Sequence, residues 1–374
     1  MTSRERMAAA MAHQPIDRVP VMCQMAIGHI CLNTGCSPVE LWHDTDTYVT
    51  ALFAMCERYG FDGILVSVPG GPPDWRDQVA TMETTRDGQI VSWKRALENH
   101  SPYPLGVRTL YRADDLPAPL EGHRLATLDT LDPSAIDVLG DVPEWMLAPL
   151  RETIARSAGE CSVHGETFSP FDKLIELLGI EPAMVGLIDD AEKCHAILER
   201  GLEYASNWGT AQVRCGIDAI KVSSPYVGGG LLSRRFYREF VVPYERRLVE
   251  RLHAAGPVPV YTHTCGAIGD RLEDMVSTGI DGLECLDPPP LGDVELDDAK
   301  RRVGGHVFIK GNVDSVNTLL KRQPAQIETD VRRTIAMGAP GGGFILSTAC
   351  SIAPGVPTEH VRVLAAVARE ASPR

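Results

Sequence analysis

Gly60-Phe61-Asp62-Gly63-Ile64, Gly216-Ile217-Asp218-Ala219-Ile220 and Gly279-Ile280-Asp281-Gly282-Leu283 are three versions of one pentapeptide. Each follows a stretch with helical periodicity and leads into a short apolar run, LVSVP, KVSSP or ECLDP, that a proline closes. A glycine just past a helix end, followed by a buried strand, marks a helix-to-strand junction. Three copies imply a repeated strand–helix unit rather than a sandwich. Further apolar runs at Val19–Ile27, Cys161–Gly165, Val258–His263, Val307–Gly311 and Phe344–Ala349 bring the candidate strands to eight. Amphipathic segments at 172–179, 191–213, 233–255, 267–278 and 325–337 separate most of them. This alternation predicts an α/β fold, a (β/α)8 TIM barrel forming a single domain over residues 1–374. A doubly wound open sheet is the rival, and no Gly-x-Gly-x-x-Gly follows an early strand to support its dinucleotide-binding form. Residues 69–120, with PGGPPDW, ETTRDGQIVSWKRA and a proline-rich run to Pro119, read as a hairpin and loops inserted after the second strand.

Composition narrows the class. Of 374 residues, 44% are hydrophobic and 23% charged, which is globular rather than disordered. The 36 basic and 50 acidic residues leave a formal charge of −14, which argues against nucleic acid or an anionic membrane as partner. No apolar run is long enough to span a bilayer. The N-terminal MTSRERMAAAMAHQPIDRVP shows no long apolar core or cleavage signature and reads as a helix leading to a strand, so a cytoplasmic location is expected. Ten cysteines at scattered spacings are not a disulfide framework; most read as small buried hydrophobes. The methionines at 1, 7, 11, 22 and 25 read as core filler.

The strongest chemical signal is Val260-Tyr261-Thr262-His263-Thr264-Cys265-Gly266, an apolar strand ending in His-x-Cys. In a barrel, the C-terminal end of a strand lies on the catalytic face. Residues i and i+2 of an extended strand point the same way, so His263 and Cys265 can converge on one atom. Imidazole plus thiolate is a favoured zinc ligand pair. A second strand, Phe344–Ala349, ends in Cys350. Strand ends of a barrel face one mouth, so Cys350 can complete a site of two sulfurs and one nitrogen with a fourth position open. Three protein ligands and an open position is the catalytic pattern of zinc rather than the structural one.

SRRFYREFVVPYERRLVERLHAAG, YTHTCGAIGDRLEDMVSTGIDGLECLDPPP, FIKGNVD and GGGFILSTACSIAPGVP resemble the uroporphyrinogen decarboxylase superfamily, and the likeness extends more loosely over the whole chain. The resemblance independently implies the barrel. It also discriminates between two branches. True decarboxylases carry an N-terminal Arg-Gln-Ala-Gly-Arg element that grips substrate carboxylates, where this chain reads Val21–His29 with no arginine. They also carry an aspartate where this chain has Ser67-Val68-Pro69. The other branch, zinc-dependent methyltransferases that work with corrinoid proteins, has His-x-Cys on one strand and a distant Cys on the last. Carried across, its zinc ligands are His263, Cys265 and Cys350. Related enzymes add a carboxylate five residues after the Gly-x-Asp aspartate; from Asp281 that offset falls on Leu286. Glu284, Asp287 or water is left for the fourth position, with Cys285 beside them.

The resemblance implies a zinc cofactor, a small methylated (methoxy or methylthio) or thiol substrate, a corrinoid on a partner protein as a candidate acceptor, and a homodimer. Glu166 and Asn312 match pocket-facing family positions and are the candidate catalytic residues. Family members often carry an acid at the end of the fourth strand; Lys221-Val222-Ser223-Ser224-Pro225 lacks one, which points to a less cationic substrate. Tyr226–Gly230 reads as a mobile lip, without the Lys-Ser/Thr of a P-loop. The alternative reading is a metal-independent decarboxylase, and a third is a binding module in which zinc only stabilises the fold.

Overall fold

The computed structural model describes residues 1–94, 107–120 and 125–371. In chain order its strands are β1 (Gly63–Leu65), β2 (Val79–Thr85), β3 (Gly88–Trp93), β4 (Arg108–Tyr111), β5 (Ala118–Pro119), β6 (Ser162–Phe168), β7 (Ala219–Ser223), β8 (Val260–Thr264), β9 (Gly282–Cys285), β10 (Phe308–Val313) and β11 (Phe344–Thr348). Seven of them form one parallel sheet in the order β1-β6-β7-β8-β9-β10-β11. The order follows the chain without reversal, which removes the doubly wound rival. Helices fill the connections, and the sheet curls on itself. The remaining four strands make an antiparallel sheet, β2-β3-β4-β5, between β1 and β6 in sequence. Residues 95–106 of the expected 69–120 insertion lie outside the described residues.

The repeated pentapeptide has a physical explanation. All three glycines adopt left-handed backbone, with φ of 67° at Gly60, 87° at Gly216 and 90° at Gly279, the conformation that ends a helix without a Cβ clash. Two residues later, each aspartate makes the same pair of hydrogen bonds to the preceding stave. The Asp62 N–H donates to the Val21 carbonyl at 2.7 Å while its carboxylate accepts the Val21 N–H at 2.8 Å. Asp218 does this with Val163 (2.8 and 2.9 Å), and Asp281 with Val260 (2.7 and 2.8 Å). The repeat therefore encodes a clamp at the N-terminal end of the strands as well as a turn.

The clamp also explains why eight strands were expected and seven are found. The segment around Val21 stands to Asp62 as β6 stands to Asp218, so it occupies the missing stave. On its other side, Leu346 N–H donates to Pro20 O (2.9 Å) and Met22 N–H to Leu346 O (3.1 Å). Pro20 has no N–H and the Val21 N–H is spent on a side chain, so only the isolated bridges Val21–Leu346 and Met25–Ile352 form in place of a ladder. This segment spans the gap between the two edges of the sheet. Below it, the helix Ser3–Met11 closes the base, and Met7, Met11 and Met22 join Leu65, Tyr261, Phe308 and Ile345 in a buried cluster.

The three clamps differ in environment. Asp62 is fully buried and also holds Arg6 and Arg18 at 2.7 and 2.8 Å, whereas Asp281 is 43% exposed and pairs with His253. Asp62→Ala removes the buried carboxylate that Arg6 and Arg18 share, while Arg6 keeps Asp17, and is expected to cost about 3 kcal/mol. Asp281→Ala should cost only about 1 kcal/mol. Urea denaturation of both variants measures the difference, and a larger loss for Asp281→Ala would contradict it.

Candidate metal centre at the mouth of the sheet

The interior of the sheet changes character along its axis. Aromatic and aliphatic side chains fill the base, and a row of buried charges lies above them. The registers set Lys310 beside Glu284 and Glu284 beside His263. Their side chains join accordingly: the Lys310 ammonium bonds Glu284 Oε1, and Glu284 Oε2 holds His263 Nδ1 at 3.0 Å. Across the interior, Lys221 Nζ lies 2.8 Å from Glu166 Oε1 and donates to Gln24 Oε1 at 2.8 Å. The Ser223 hydroxyl donates to the same Glu166 oxygen. Burial alone would raise the Glu284 pKa, but the charges of Lys310 and Lys221 and the bond to His263 hold it well below the usual carboxylate range. Lys221 answers in kind: burial disfavours its charge, and Glu166 and Glu284 outweigh that.

With Nδ1 engaged, His263 presents Nε2 to the strand ends. Cys265 Sγ lies 3.3 Å from Nε2 and 3.7 Å from Cys350 Sγ. A tetrahedral zinc with bonds of ~2.3 Å to sulfur and ~2.0 Å to nitrogen sets its sulfurs ~3.8 Å apart and sulfur and nitrogen ~3.6 Å apart. The separations of Cys265 Sγ from His263 Nε2 and from Cys350 Sγ each match that requirement within a few tenths of an ångström. The triad whose donor atoms all lie within 4.8 Å of one another is His263, Cys265 and Cys285, with Cys285 where the sequence pointed to Cys350. Cys285 sits in left-handed backbone (φ 85°), and burial is the first cause pushing its thiol up to about 12. Of the carboxylates considered for a fourth donor, Glu284 is committed to His263 and Lys310, and Asp287 Oδ2 accepts the Gly266 N–H at 2.7 Å.

The family model described as uroporphyrinogen decarboxylase (URO-D) matches residues 2–68 and 104–371. The chain belongs to this family. Among curated relatives, the uroporphyrinogen decarboxylase of Edwardsiella ictaluri is 33% identical over 54% of this chain and 52% of its own length, so the match spans about half of that relative. The methylated-thiol–coenzyme M methyltransferase of Methanosarcina mazei is 25% identical over 65% of this chain and 62% of its own. A solved methyltransferase from Methanosarcina mazei superposes with a TM-score of 0.76 at 19% identity, covering 99% of both chains, and so shares the fold.

Within this URO-D fold, the two candidate catalytic residues each line a cavity formed by the described residues. Glu166 lines a cavity of about 270 Å³ with Phe168, Asp172, Trp208 and Tyr226. Asn312 lines a separate cavity of about 310 Å³ with Pro288, Asp314 and Arg322, and its amide donates to the Leu286 carbonyl at 3.0 Å. His164 bonds Ser162 and Tyr261 at 3.0 Å each, and burial together with the Lys310 charge lowers its pKa to about 3, so it is a neutral core group. The Gly-rich segment is pinned rather than free. The Gly229 N–H donates to Ala267 O at 2.6 Å, Arg271 holds the Val227 carbonyl, and a Cβ on Gly228 would lie 2.4 Å from the Cys265 carbonyl. The lip therefore buttresses the Cys265 turn. Sequence reasoning missed the Glu284–Lys310 pairing. Their i, i+2 parity with Gly282 and Phe308 signals an inward direction, but their meeting depends on register.

No helix among the described residues is long and apolar enough to cross a membrane. Lys310→Met leaves the buried Glu284 without its closest cation, so the variant is expected to lose about 3–5 kcal/mol. Adding Glu284→Gln to the same chain should recover most of the loss, because neither charge then remains unpaired. Urea denaturation of the two single variants and the double variant measures the coupling, and additive losses would overturn the pairing.

Proposed function

We propose that this protein is a zinc-dependent methyltransferase of the uroporphyrinogen decarboxylase superfamily, with the ion held by His263, Cys265 and Cys350. The reaction moves a methyl group between a small methylated or thiol substrate and a corrinoid protein or related acceptor. The observation that carries this reading is the convergence of Cys265 Sγ, Cys350 Sγ and His263 Nε2 at separations of 3.7 and 3.3 Å, from strands that are far apart in sequence. Bound there, zinc supplies either a lowered pKa for a thiol or Lewis acidity toward a methylated heteroatom.

The chain's own residues prepare the site. Glu284 fixes the tautomer and orientation of His263 and raises its basicity, the arrangement that outer carboxylates give to metal-bound histidines. Lys310 keeps Glu284 ionised in a dry interior. Asp287 and Gly228 hold the turn that carries Cys265. Three donors leave a fourth position for Cys285, Asp287, water or the substrate heteroatom.

A metal-independent decarboxylase is the second reading, favoured by the names of several curated relatives. The cavity that Glu166 lines opposes it. Glu166, Asp172 and Glu176 line it against the single cation Lys173, a poor match for a polycarboxylate substrate.

Elemental analysis of the purified protein beside Cys350→Ala tests the proposal. About one zinc per chain is expected in the wild type, and a sharply reduced content in the variant, with an unchanged circular dichroism spectrum. Glu284→Gln should keep the ion but weaken its binding ~10–100-fold. Absence of zinc from the wild type even after loading would sink the methyltransferase reading and favour the decarboxylase.

A further inference from the structure

The cavity that Glu166 lines has a charge imbalance that the metal centre does not explain. It lies between the ends of β6 and β7 and the helices Pro170–Leu178 and Ala191–Arg214. Two of its three carboxylates are already neutralised. Glu166 is paired with Lys221, and Glu176 is paired at 2.7 Å with Lys173, whose ammonium also covers the Tyr204 ring at 4.1 Å. Asp172 is different. It is 7% exposed, and neither of its carboxylate oxygens has a hydrogen-bond partner. Behind it lies Glu245, also buried, with Oε1 unpartnered. Burial raises the Asp172 pKa, and the charges of Glu245 and Glu176 raise it further, so the acid holds a proton that an entering cation would displace to gain an ionised partner.

An unsatisfied buried carboxylate in a folded protein calls for a partner. The rest of the lining indicates which kind. Phe168, Trp208 and Tyr226 present aromatic surface, and the Trp208 ring is held in place by its N–H donating to the Glu166 carbonyl at 3.0 Å. Aromatic faces attract cations, most strongly when the cation is desolvated and carries apolar substituents. Tyr226 belongs to the segment whose Gly228 packs against the Cys265 carbonyl, and this joins the cavity wall to the proposed metal centre. The volume of about 270 Å³ falls at the small end of ligand cavities, so the occupant is a small molecule.

We infer that this cavity binds a small methylated onium ion, an ammonium or a sulfonium, through Asp172 and the rings of Trp208, Phe168 and Tyr226. This rests on the methyltransferase reading and names the substrate class for it. The chemistry balances without a proton. The bond from methyl carbon to nitrogen or sulfur breaks with its electron pair staying on the heteroatom, a neutral amine or thioether departs, and a thiolate or reduced corrinoid acceptor supplies the electron pair of the new bond. The inference runs counter to the sequence expectation of a less cationic substrate. The acid missing from the end of the fourth strand is supplied by Asp172 on the helix after β6, which the strand motif does not reveal.

Isothermal titration calorimetry of the full chain with tetramethylammonium and trimethylsulfonium, against the neutral isostere tert-butyl alcohol, tests the inference. At least one cation should bind saturably and at least ~10-fold more tightly than the alcohol. Asp172→Asn and Trp208→Leu should each weaken cation binding ~10-fold or more, with thermal melts confirming that both fold. The comparison of cation with isostere in the wild type stands even where a variant fails to fold. No saturable binding of either cation, or equal affinity for the alcohol, overturns the inference. Zinc without onium binding removes this proposal and leaves the methyltransferase reading standing, while onium binding without zinc does the reverse.

Discussion

The arrangement at the mouth depends on two buried lysine–glutamate pairs, each joining register neighbours on adjacent strands of the sheet. Lys310 with Glu284 and Lys221 with Glu166 put four charges where burial is nearly complete. Removing such groups from water costs several kcal/mol per ion, so they persist only because each is matched and further hydrogen-bonded. The arrangement is a poor device for stability alone, since well-packed hydrophobes fill such a layer at lower cost. It does have an orienting consequence. Glu284 reaches His263 with its second oxygen, and Glu166 exposes its flank to the neighbouring cavity. The charged row thus separates an apolar base, sealed by Met7, Met22 and Phe308, from a mouth where thiols and an imidazole converge.

That row can exist only if the strands hold their stagger, and the aspartate clamps contribute to this. Each clamp ties the start of one strand to the start of the next through a backbone and a side-chain bond to the same residue. A one-residue slip would turn His263 and Glu284 away from each other and out of the interior. The clamp at Asp62 has a further role, because it binds a segment that never becomes a full strand. With Pro20 unable to donate, Val21 is held by Asp62 on one side and through its neighbours by Leu346 on the other, and the ring of staves is completed there.

The glycine-rich segment illustrates how far composition can be read. Pro225–Gly230 reads as a mobile lip because small residues and no charge usually signal freedom. In the folded chain Gly228 is buried against the Cys265 carbonyl, at a distance that leaves no room for a Cβ. The same residues that permit motion also permit close approach, and only the neighbouring turn decides between the two. Asp172 is the opposite case. In sequence it is an ordinary acid in the first turn of a helix, the position where acids are favoured. Its unpaired oxygens become visible only when Glu245, Glu166 and Glu176 are placed around it.

The sequence by itself determined the repeating strand–helix unit, through glycines that must end helices and aspartates two residues beyond them. It also determined that His263 and Cys265 share a side, because a strand alternates with a period of two. Tertiary structure decided what no period encodes: that Cys350 lies 3.7 Å from Cys265 across 85 residues of chain, that Glu284 turns His263 toward the sulfurs, and that the first stave closes the ring without a ladder. The physical reason is that local spacing sets the direction of a side chain, whereas its partner is set by strand register and sheet curvature, which the whole chain determines together.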